Sequence, residues 1–391
     1  MSELLESRWV DTKNALLEGL QGNKKSVMAA TLENTRKYLS ESATAGATSA
    51  GNVATLNRVI LPVIRRVMPT VIANELVGVQ PMTGPVGQIH TLRVRYSDTA
   101  GTGASGATAG EEALSPFKIA EAYSGNTTTG RADSTAALEG AAGNRLSIQI
   151  LKQTVEAKTR KLSARWTFEA AQDAQSMHGI DVEAEIMAAL AQEITAEIDQ
   201  EVLNSLATLA GTAAETYDQA AVSGTATFVG DEHAALAVQI NRVSNLIAQR
   251  TRRGAGNWAV VSPFALTILQ SATTSAFART TEGTFEAPTN TKMVGTLNNA
   301  MKVYVNTYSS DAAPVLIGYK GSSESDAAAF YCPYIPLMSS GVVLDPGTFE
   351  PTVSFMTRYG YVELNNTASS LGNAADYLGK VAITNGNVSF S

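Results

Sequence analysis

Between Asp181 and Ala210 the chain runs without a glycine or a proline, and apolar residues recur at about every fourth position: Val182, Ile186, Leu190, Ile194, Ile198, Val202, Leu206 and Leu209. That spacing puts them on one face of an α-helix. Asp181 offers an N-cap and Gly211 a stop. A helix over 181–210 is roughly 45 Å long, whereas the mean globular helix has about 11–12 residues. A chain with such a strut must organise its other elements around it. Glu183, Glu185, Glu193, Glu197, Asp199 and Glu201 decorate the remaining faces. The pairs Glu193/Glu197 and Glu197/Glu201 imitate a metal or acid–base site, but no Glu-x-x-His accompanies them. They read instead as an acidic stripe facing solvent or an interface.

Around the strut, helical and strand patterns mix, which predicts an α+β fold. Leu4, Leu5, Trp9, Leu16, Leu17 and Leu20 form a first helical pattern, and about Lys24 to Ser40 a second, with Val27, Met28, Leu32 and Tyr38 apolar. Ser42–Gly51 then reads SATAGATSAG, without a charge or a large side chain. It buries too little apolar surface to offset its ordering entropy, so an extended arm is expected. Ile89–Tyr96 (IHTLRVRY) alternates as a half-exposed strand, and Leu146–Ile150 (LSIQI) is its expected partner across a stretch dense in Gly, Ala, Ser and Thr. This predicts a long hairpin. Val155–Asp173 carries helical periodicity with Lys158, Arg160, Lys161 and Arg165 clustered in it. Ala234–Arg252 is an amphipathic helix ending in Arg250, Arg252 and Arg253, as the helix dipole favours. Ser262–Pro263 starts another helix with Pro in its first turn. Strands are expected at 257–261, 301–305, 315–319, 329–332, 341–344 and 352–358.

Composition narrows the function. Asp plus Glu number 36 against 29 Lys plus Arg, a net charge of −7, which disfavours a general nucleic-acid binder. Cys332 is the single cysteine, so neither an intramolecular disulfide nor a multi-thiolate zinc site is expected. No run reaches the ~18 apolar residues of a membrane span, and the first ten residues do not read as a secretory signal. Gly101-Thr-Gly103-Ala-Ser-Gly106 is a formal GxGxxG, but ATAGEEALSPF follows where a dinucleotide site needs a helix, so it reads as a small-residue loop. His90, His178 and His233 stand far apart, and nothing argues for a thiolate at Cys332. No catalytic set, metal site or cofactor is expected. The two basic clusters, Lys158–Arg165 and Arg250–Arg253, can meet phosphate, or pair with the acidic strut of a neighbouring subunit; in so acidic a chain the second reading is preferred.

Several blocks together resemble one family. IRRVMPTVIANELVGVQPMTGPVGQI (Ile64–Ile89), EAKTRKLSARWTFEAAQDAQSMHG (Glu156–Gly179), DVEAEIMAALAQEITAEIDQEV (Asp181–Val202), RRGAGNWAVVSP (Arg252–Pro263), GYKG (Gly318–Gly321), AAFYCPYIPL (Ala328–Leu337) and DPGTFEPTVSFMTRYG (Asp345–Gly360) occur in the order found in major capsid proteins of T-even-type tailed bacteriophages. The resemblance implies the Hong Kong 97-type capsid fold. In that frame 42–57 is the N-terminal arm, 88–150 the extended hairpin loop, and 58–87 with 151–229 a peripheral domain whose spine helix is 181–210. Residues 230–340 are then the axial domain, and 341–391 return as peripheral strands and C-terminus. It departs at one place: the T-even protein carries an inserted domain in the hairpin loop, where this chain has only Asp98–Asn144.

The resemblance further implies a removable propeptide at 1–41, cut after Glu in a Leu/Ile-x-Glu context. Leu39-Ser40-Glu41 fits, and the Glu41–Ser42 bond falls where the flexible arm begins. The implied role is a structural one, not an enzyme's: hexameric capsomers in an icosahedral head around double-stranded DNA, assembled in the bacterial host cytoplasm and ending in the virion. Implied partners are further copies of the chain, a vertex pentamer protein, the portal, a prohead protease and decoration proteins, with non-specific DNA contact and no membrane. A pentameric vertex paralogue and an encapsulin-type compartment shell are the alternatives on the same fold.

Overall fold

Two compact units make up the computed structural model: Met1–Gly87 with Val155–Leu203 and Phe330–Val362, and Gln88–Thr154 with Asn204–Ala329 and Glu363–Ser391. The structure describes residues 9, 13, 14, 17, 25–34, 72–101, 106–111, 113, 123–126, 128–140, 142–178, 181–219, 229–251, 253–272, 277–279, 292–298, 300–364 and 373–384. The arm tract 42–51, the Leu39–Glu41 tripeptide with Ser42, and Arg252 lie outside the described residues.

The first unit is built on a five-stranded sheet. Its order is β1 (Gly78–Val79), β11 (Ala329–Ser339), β13 (Pro351–Glu363) and β12 (Val343–Leu344), with β4 (Lys158–Arg165) also paired to β13. β1 runs parallel to β11, while β12 and β4 run antiparallel to β13. β11 is an apolar run buried almost throughout, as a strand covered on both faces must be. β13 alternates, burying Val353, Phe355, Thr357 and Tyr359. Helices α1 (residues 25–34), α2 (Phe168–His178) and most of α3 (Val182–Leu209) complete the unit.

The strut forms as its spacing predicts. Asp181 Oδ1 accepts from the amides of Glu183 (3.1 Å) and Ala184 (3.4 Å), and Gly211 stands at φ 67 past the last turn. Leu190, Ile194, Ile198, Val202 and Leu206 are buried.

One expectation fails: the basic stretch within Val155–Asp173 is not helical. Residues 158–165 form β4, in register with β13 from Arg165↔Thr352 to Lys158↔Tyr359, and α2 begins only at Phe168. Exposure along 159–165 repeats with a period not near 3.6 but of two, and the basic residues fall on both faces. The long edge offered by β13 selects the period of two, a case of tertiary pairing overriding local pattern.

The second unit holds a seven-stranded sheet ordered β5 (Glu215–Asp218), β14 (Leu378–Thr384), β10 (Val315–Gly318), β6 (Trp258–Val261), β9 (Met301–Val305), β8 (Lys292–Leu297) and β7 (Phe277–Arg279). Helices α4 (Val229–Thr251) and α5 (Pro263–Ser271) supply Leu236, Ile240, Val243, Ile247, Ile268 and Leu269 to a core with Val303, Val305, Val315, Ile317 and Val381. Ser262 caps α5, its Oγ accepting from Ala265 N at 3.1 Å, with Pro263 in the first turn as expected.

Strand membership differs from the sequence boundaries in two places. β11, expected with the strands of 230–340, belongs to the five-stranded sheet, whereas β5 and β14 join the seven-stranded one. Sheet membership is set by partners far away in sequence. β14 pairs antiparallel with β10 (Val315↔Val381) and parallel with β5 (Val381↔Glu215), and nothing within LGKVAIT specifies either.

Gly318 faces Trp258 in the β6–β10 register, and a Cβ there would lie 2.1 Å from the indole ring. Gly318→Ala is expected to destabilise the protein by about 1–3 kcal/mol through overpacking. Thermal unfolding followed by circular dichroism reads this as a lowered midpoint, and an unchanged midpoint would mean that the indole moves aside freely.

Candidate functional site

The basic residues of β4 divide by face. Arg160 turns toward α3, where its Nη1 donates to Glu197 Oε2 (2.6 Å) and its Nη2 to Glu201 Oε2 (2.5 Å). Its Nε donates to the hydroxyl of Tyr359 on β13 (2.6 Å), and that hydroxyl in turn donates to Glu201. Partial burial works against the charge of Arg160, but the bonds to Glu201 and Tyr359 outweigh it and hold its pKa above the usual arginine value. Glu201 is likewise penalised by burial, and the bonds from Arg160 and Tyr359 keep it below its ordinary range. Of the basic cluster, Arg160 pairs with the acidic strut, and it does so within its own chain, where pairing with a neighbouring subunit's strut was expected.

The other predicted contact residues are dispersed. Lys158 and Lys161 stand exposed on β4, and Arg165 approaches Glu350 at 3.7 Å. Arg253 pairs with Asp326 at 2.8 Å, and Arg250 lies in the last turn of α4. The exposed pairs are worth about 0–1 kcal/mol each. They leave the two basic clusters as separate features on separate units.

The expected hairpin is real and longer than its sequence signature. β2 (Val86–Tyr96) and β3 (Leu146–Glu156) form a two-stranded sheet of their own. Ala157 N donates to Pro85 O at one end and Ser97 N to Arg145 O at the other, both at 2.9 Å, so the strands are antiparallel. Leu146, Ile148 and Ile150 share one face of β3 and are 54%, 67% and 66% exposed, with Leu92 of β2 at 62%. Alternation predicted a half-buried strand, and this stripe is instead open in the single chain.

Beyond the ribbon, the small-residue stretch is tied at its base. Arg145 donates through its backbone N (2.8 Å) and its guanidinium (3.1 and 3.3 Å) to Asp98, whose pKa is held down by these bonds. Tyr123 completes the clamp: its hydroxyl donates to Arg145 O (2.5 Å) and accepts from Asp98 N (3.2 Å). Its ring lies 4.4 Å from that of Tyr96, over a small core with Ala100, Ala107 and Ala113. Sequence reading missed Tyr123, which follows SPFKIAEA and precedes SGNTTTG without any periodic pattern. Where GxGxxG begins, Ala100 and Ala107 exchange two 2.9 Å backbone bonds. A Cβ on Gly106 would lie 2.8 Å from Gly101 O. Residues 102–105 of the motif lie outside the described residues.

A second apolar surface lies at β12, where Val342, Val343 and Leu344 are exposed beside Phe349. Asp345 holds the turn that follows, accepting from Gly347 N through Oδ1 and from Phe349 N through its carbonyl. Phe349 sits at φ 58, uncommon for a side chain of its size, with its ring 5.7 Å from that of Phe168.

Among the described residues no three His, Cys, Asp or Glu side chains gather as a metal site, and no helix is long and apolar enough to cross a membrane. Cys332 is buried, and burial pushes its thiol up to about 11, far from a reactive thiolate. His233 is buried with its Nδ1 against Ser271 Oγ.

A chain with an acidic strut, a long clamped ribbon and open apolar stripes is equipped for contact with other chains. Residues 53–383 match the model of the major capsid protein Gp23. The chain belongs to that family. The major capsid protein of Vibrio phage KVP40 is 28% identical, in an alignment covering 84% of this chain and 80% of that one. That of Enterobacteria phage T4 is 29% identical, covering 86% and 80%. Among solved structures, the capsid of Myoviridae phage XM1 is similar with a TM-score of 0.44 at 11% identity, covering 80% of this chain and 92% of that one. The protein is thus a major capsid protein, a shell component of a tailed-phage virion.

Within a capsid subunit of this kind, Asp199 stands apart. It lies on α3, is 4% exposed, and accepts from Ile72 N at 2.9 Å where the described chain resumes after residue 71. Burial raises its pKa from 3.8 to about 7, opposed by that backbone bond. The folded chain therefore binds the extra proton, so the stability Asp199 contributes is present below about pH 4 and is lost as pH rises through about 7. Asp199→Asn keeps an acceptor for Ile72 without the charge. Its unfolding free energy relative to the parent is expected to rise between about pH 5 and 7 and then level off, by on the order of 1–4 kcal/mol. Paired thermal melts across that range check this, and a difference that does not change with pH would refute it.

Proposed function

We propose that this chain builds hexameric capsomers of an icosahedral head through a Hong Kong 97-type fold, each subunit laying its β2–β3 ribbon over a neighbouring copy. The observation that carries this reading is the open stripe of Leu92, Leu146, Ile148 and Ile150. An isolated two-stranded ribbon is marginal in water. Full burial of each large aliphatic side chain is worth roughly 1.5–3 kcal/mol, so covering the stripe is a strong drive to associate. The apolar edge around Val343, Leu344 and Phe349 offers a second such surface, and the exposed Lys158 and Lys161 a charged one for acidic faces of other copies. A net charge of −7 suits a shell that encloses double-stranded DNA while contacting it only non-specifically.

The double substitution Ile148→Asp with Ile150→Asp is expected to leave a folded subunit that forms no shells. Circular dichroism and negative-stain electron microscopy check the two halves of that statement. Normal heads from this variant would overturn the clasp.

Maturation is the second part of the reading. A prohead protease cuts Glu41–Ser42 after Leu39-Ser40-Glu41, leaving residues 42–391 in the head, where the portal, a vertex pentamer protein and decoration proteins complete the assembly. The support is the composition change at Ser42 and the matching tripeptide. Intact-mass spectrometry of the chain from purified virions is expected to find a chain that starts at Ser42, and one that starts at Met1 would exclude the cut.

A further inference from the structure

The N-terminal segment makes a specific contact with the body of the first unit. Along α1, Val27, Met28, Thr31 and Leu32 are all buried, Thr31 and Leu32 fully, which defines a single stripe at i, i+1, i+4 and i+5. Thr31 Oγ1 donates to Met28 O at 3.0 Å, so its hydroxyl enters the stripe already satisfied. Glu33, on another face, accepts from Trp9 Nε1 (3.5 Å) and Lys13 Nζ (3.3 Å), which ties the earlier residues of the segment to the same helix. At the end of the helix, Asn34 Nδ2 donates to two main-chain carbonyls far away in sequence, Met82 O at 2.7 Å and Tyr334 O at 3.1 Å.

Those two carbonyls belong to one rigid floor. Met82 N donates to Pro333 O, and Gln80 N to Tyr331 O, so the chain over 80–82 is laced along β11 next to Tyr334. One side-chain amide has two protons, and here both go to that floor. Few residue types can do this: a carboxylate, a hydroxyl or an aliphatic side chain at position 34 supplies at most one of the two donors. Withdrawing the amide without replacement leaves two carbonyls to be satisfied by something else.

We propose that α1 is a tethered ligand of the first unit, a helical plug that covers the Met82–Tyr334 surface at every concentration only while it is part of the same chain. The inference rests on the cut at Glu41–Ser42 for its trigger. Tethering gives an intramolecular partner an effective concentration of roughly millimolar order, and severing the linker removes that advantage without altering a single contact. Cleavage then changes the occupancy of the surface by mass action: the plug stays while crowded and leaves on dilution, and the floor is uncovered only in the cut chain.

The test uses the full-length chain with the recognition sequence of a site-specific protease inserted between Glu41 and Ser42. Hydrogen exchange read by mass spectrometry is expected to show amides 27–34 protected at least tenfold over a synthetic peptide of residues 1–41. After cutting, the fragment is expected to co-elute at high concentration and to be lost on dilution, with faster exchange over 80–82 and at 334–335. Asn34→Ala is expected to lower retention of the cut fragment about tenfold, and Asn34→Asp, which cannot donate, at least as much. Unprotected 27–34 amides in the uncut chain would overturn the proposal, as would retention unaffected by either variant. Failure of the natural cut is read separately, from the virion chain's mass, and leaves the docking measurement intact.

Discussion

The guanidinium of Arg160 reaches three acceptors on two other elements, and the alignment of the first unit depends on where those acceptors lie. Glu197 and Glu201 are one helical turn apart on α3, and the Tyr359 hydroxyl comes from β13. A planar fork with fixed donor directions meets all three only for one rotation of the helix and one placement along the strands. A slip of β4 by a single residue would carry Arg160 to the opposite face and leave Glu201 and Tyr359 sharing a proton with no cation beside them. The net energy of such a part-buried network is modest. Its value lies in specifying one arrangement among several of similar apolar burial, since the repeating Leu, Ile and Val of the buried α3 face discriminate less sharply between them.

Much of the architecture was legible where local physics decides it. The uninterrupted four-residue spacing from Val182, the Asp181 cap, the Ser262–Pro263 start and the alternating strands that flank the Asp98–Asn144 stretch each emerge as read. For the helices the deciding partners lie within a few residues, and for the ribbon the alternation within each strand is itself the signal. The misreadings share the opposite property. β4 looks helical because its basic residues, 158 and 160 on one face and 161 and 165 on the other, do not mark the strand period, and the strand that fixes it lies beyond residue 350. β14 belongs to the seven-stranded sheet through partners at 215–218 and 315–318.

The assembly surfaces were legible only in part, for a related reason. Charge complementarity between the acidic strut and the basic cluster could be foreseen, but not that one subunit satisfies it for Arg160 internally. Tyr123 gave no periodic signal at all, because its role depends on reaching Asp98 and Arg145 across a fold of small residues. Asn34 is a similar case: a polar residue at a helix end has many ordinary explanations, and only the positions of two distant carbonyls distinguish it. The resemblance of the sequence blocks reached the family by a different route, since register across many short matches needs no knowledge of contacts.

The clamp of Asp98, Tyr123 and Arg145 closes the hairpin before its tip begins. The ribbon below therefore enters the loop with its two chain ends fixed to each other, through the Asp98–Arg145 pair and through Tyr123, which the loop itself supplies. Lengthening the tip costs only loop-closure entropy, about 0.6 kcal/mol for each doubling. The two strands that carry the exposed stripe are held by the clamp in one register at the end remote from the body of the sheet.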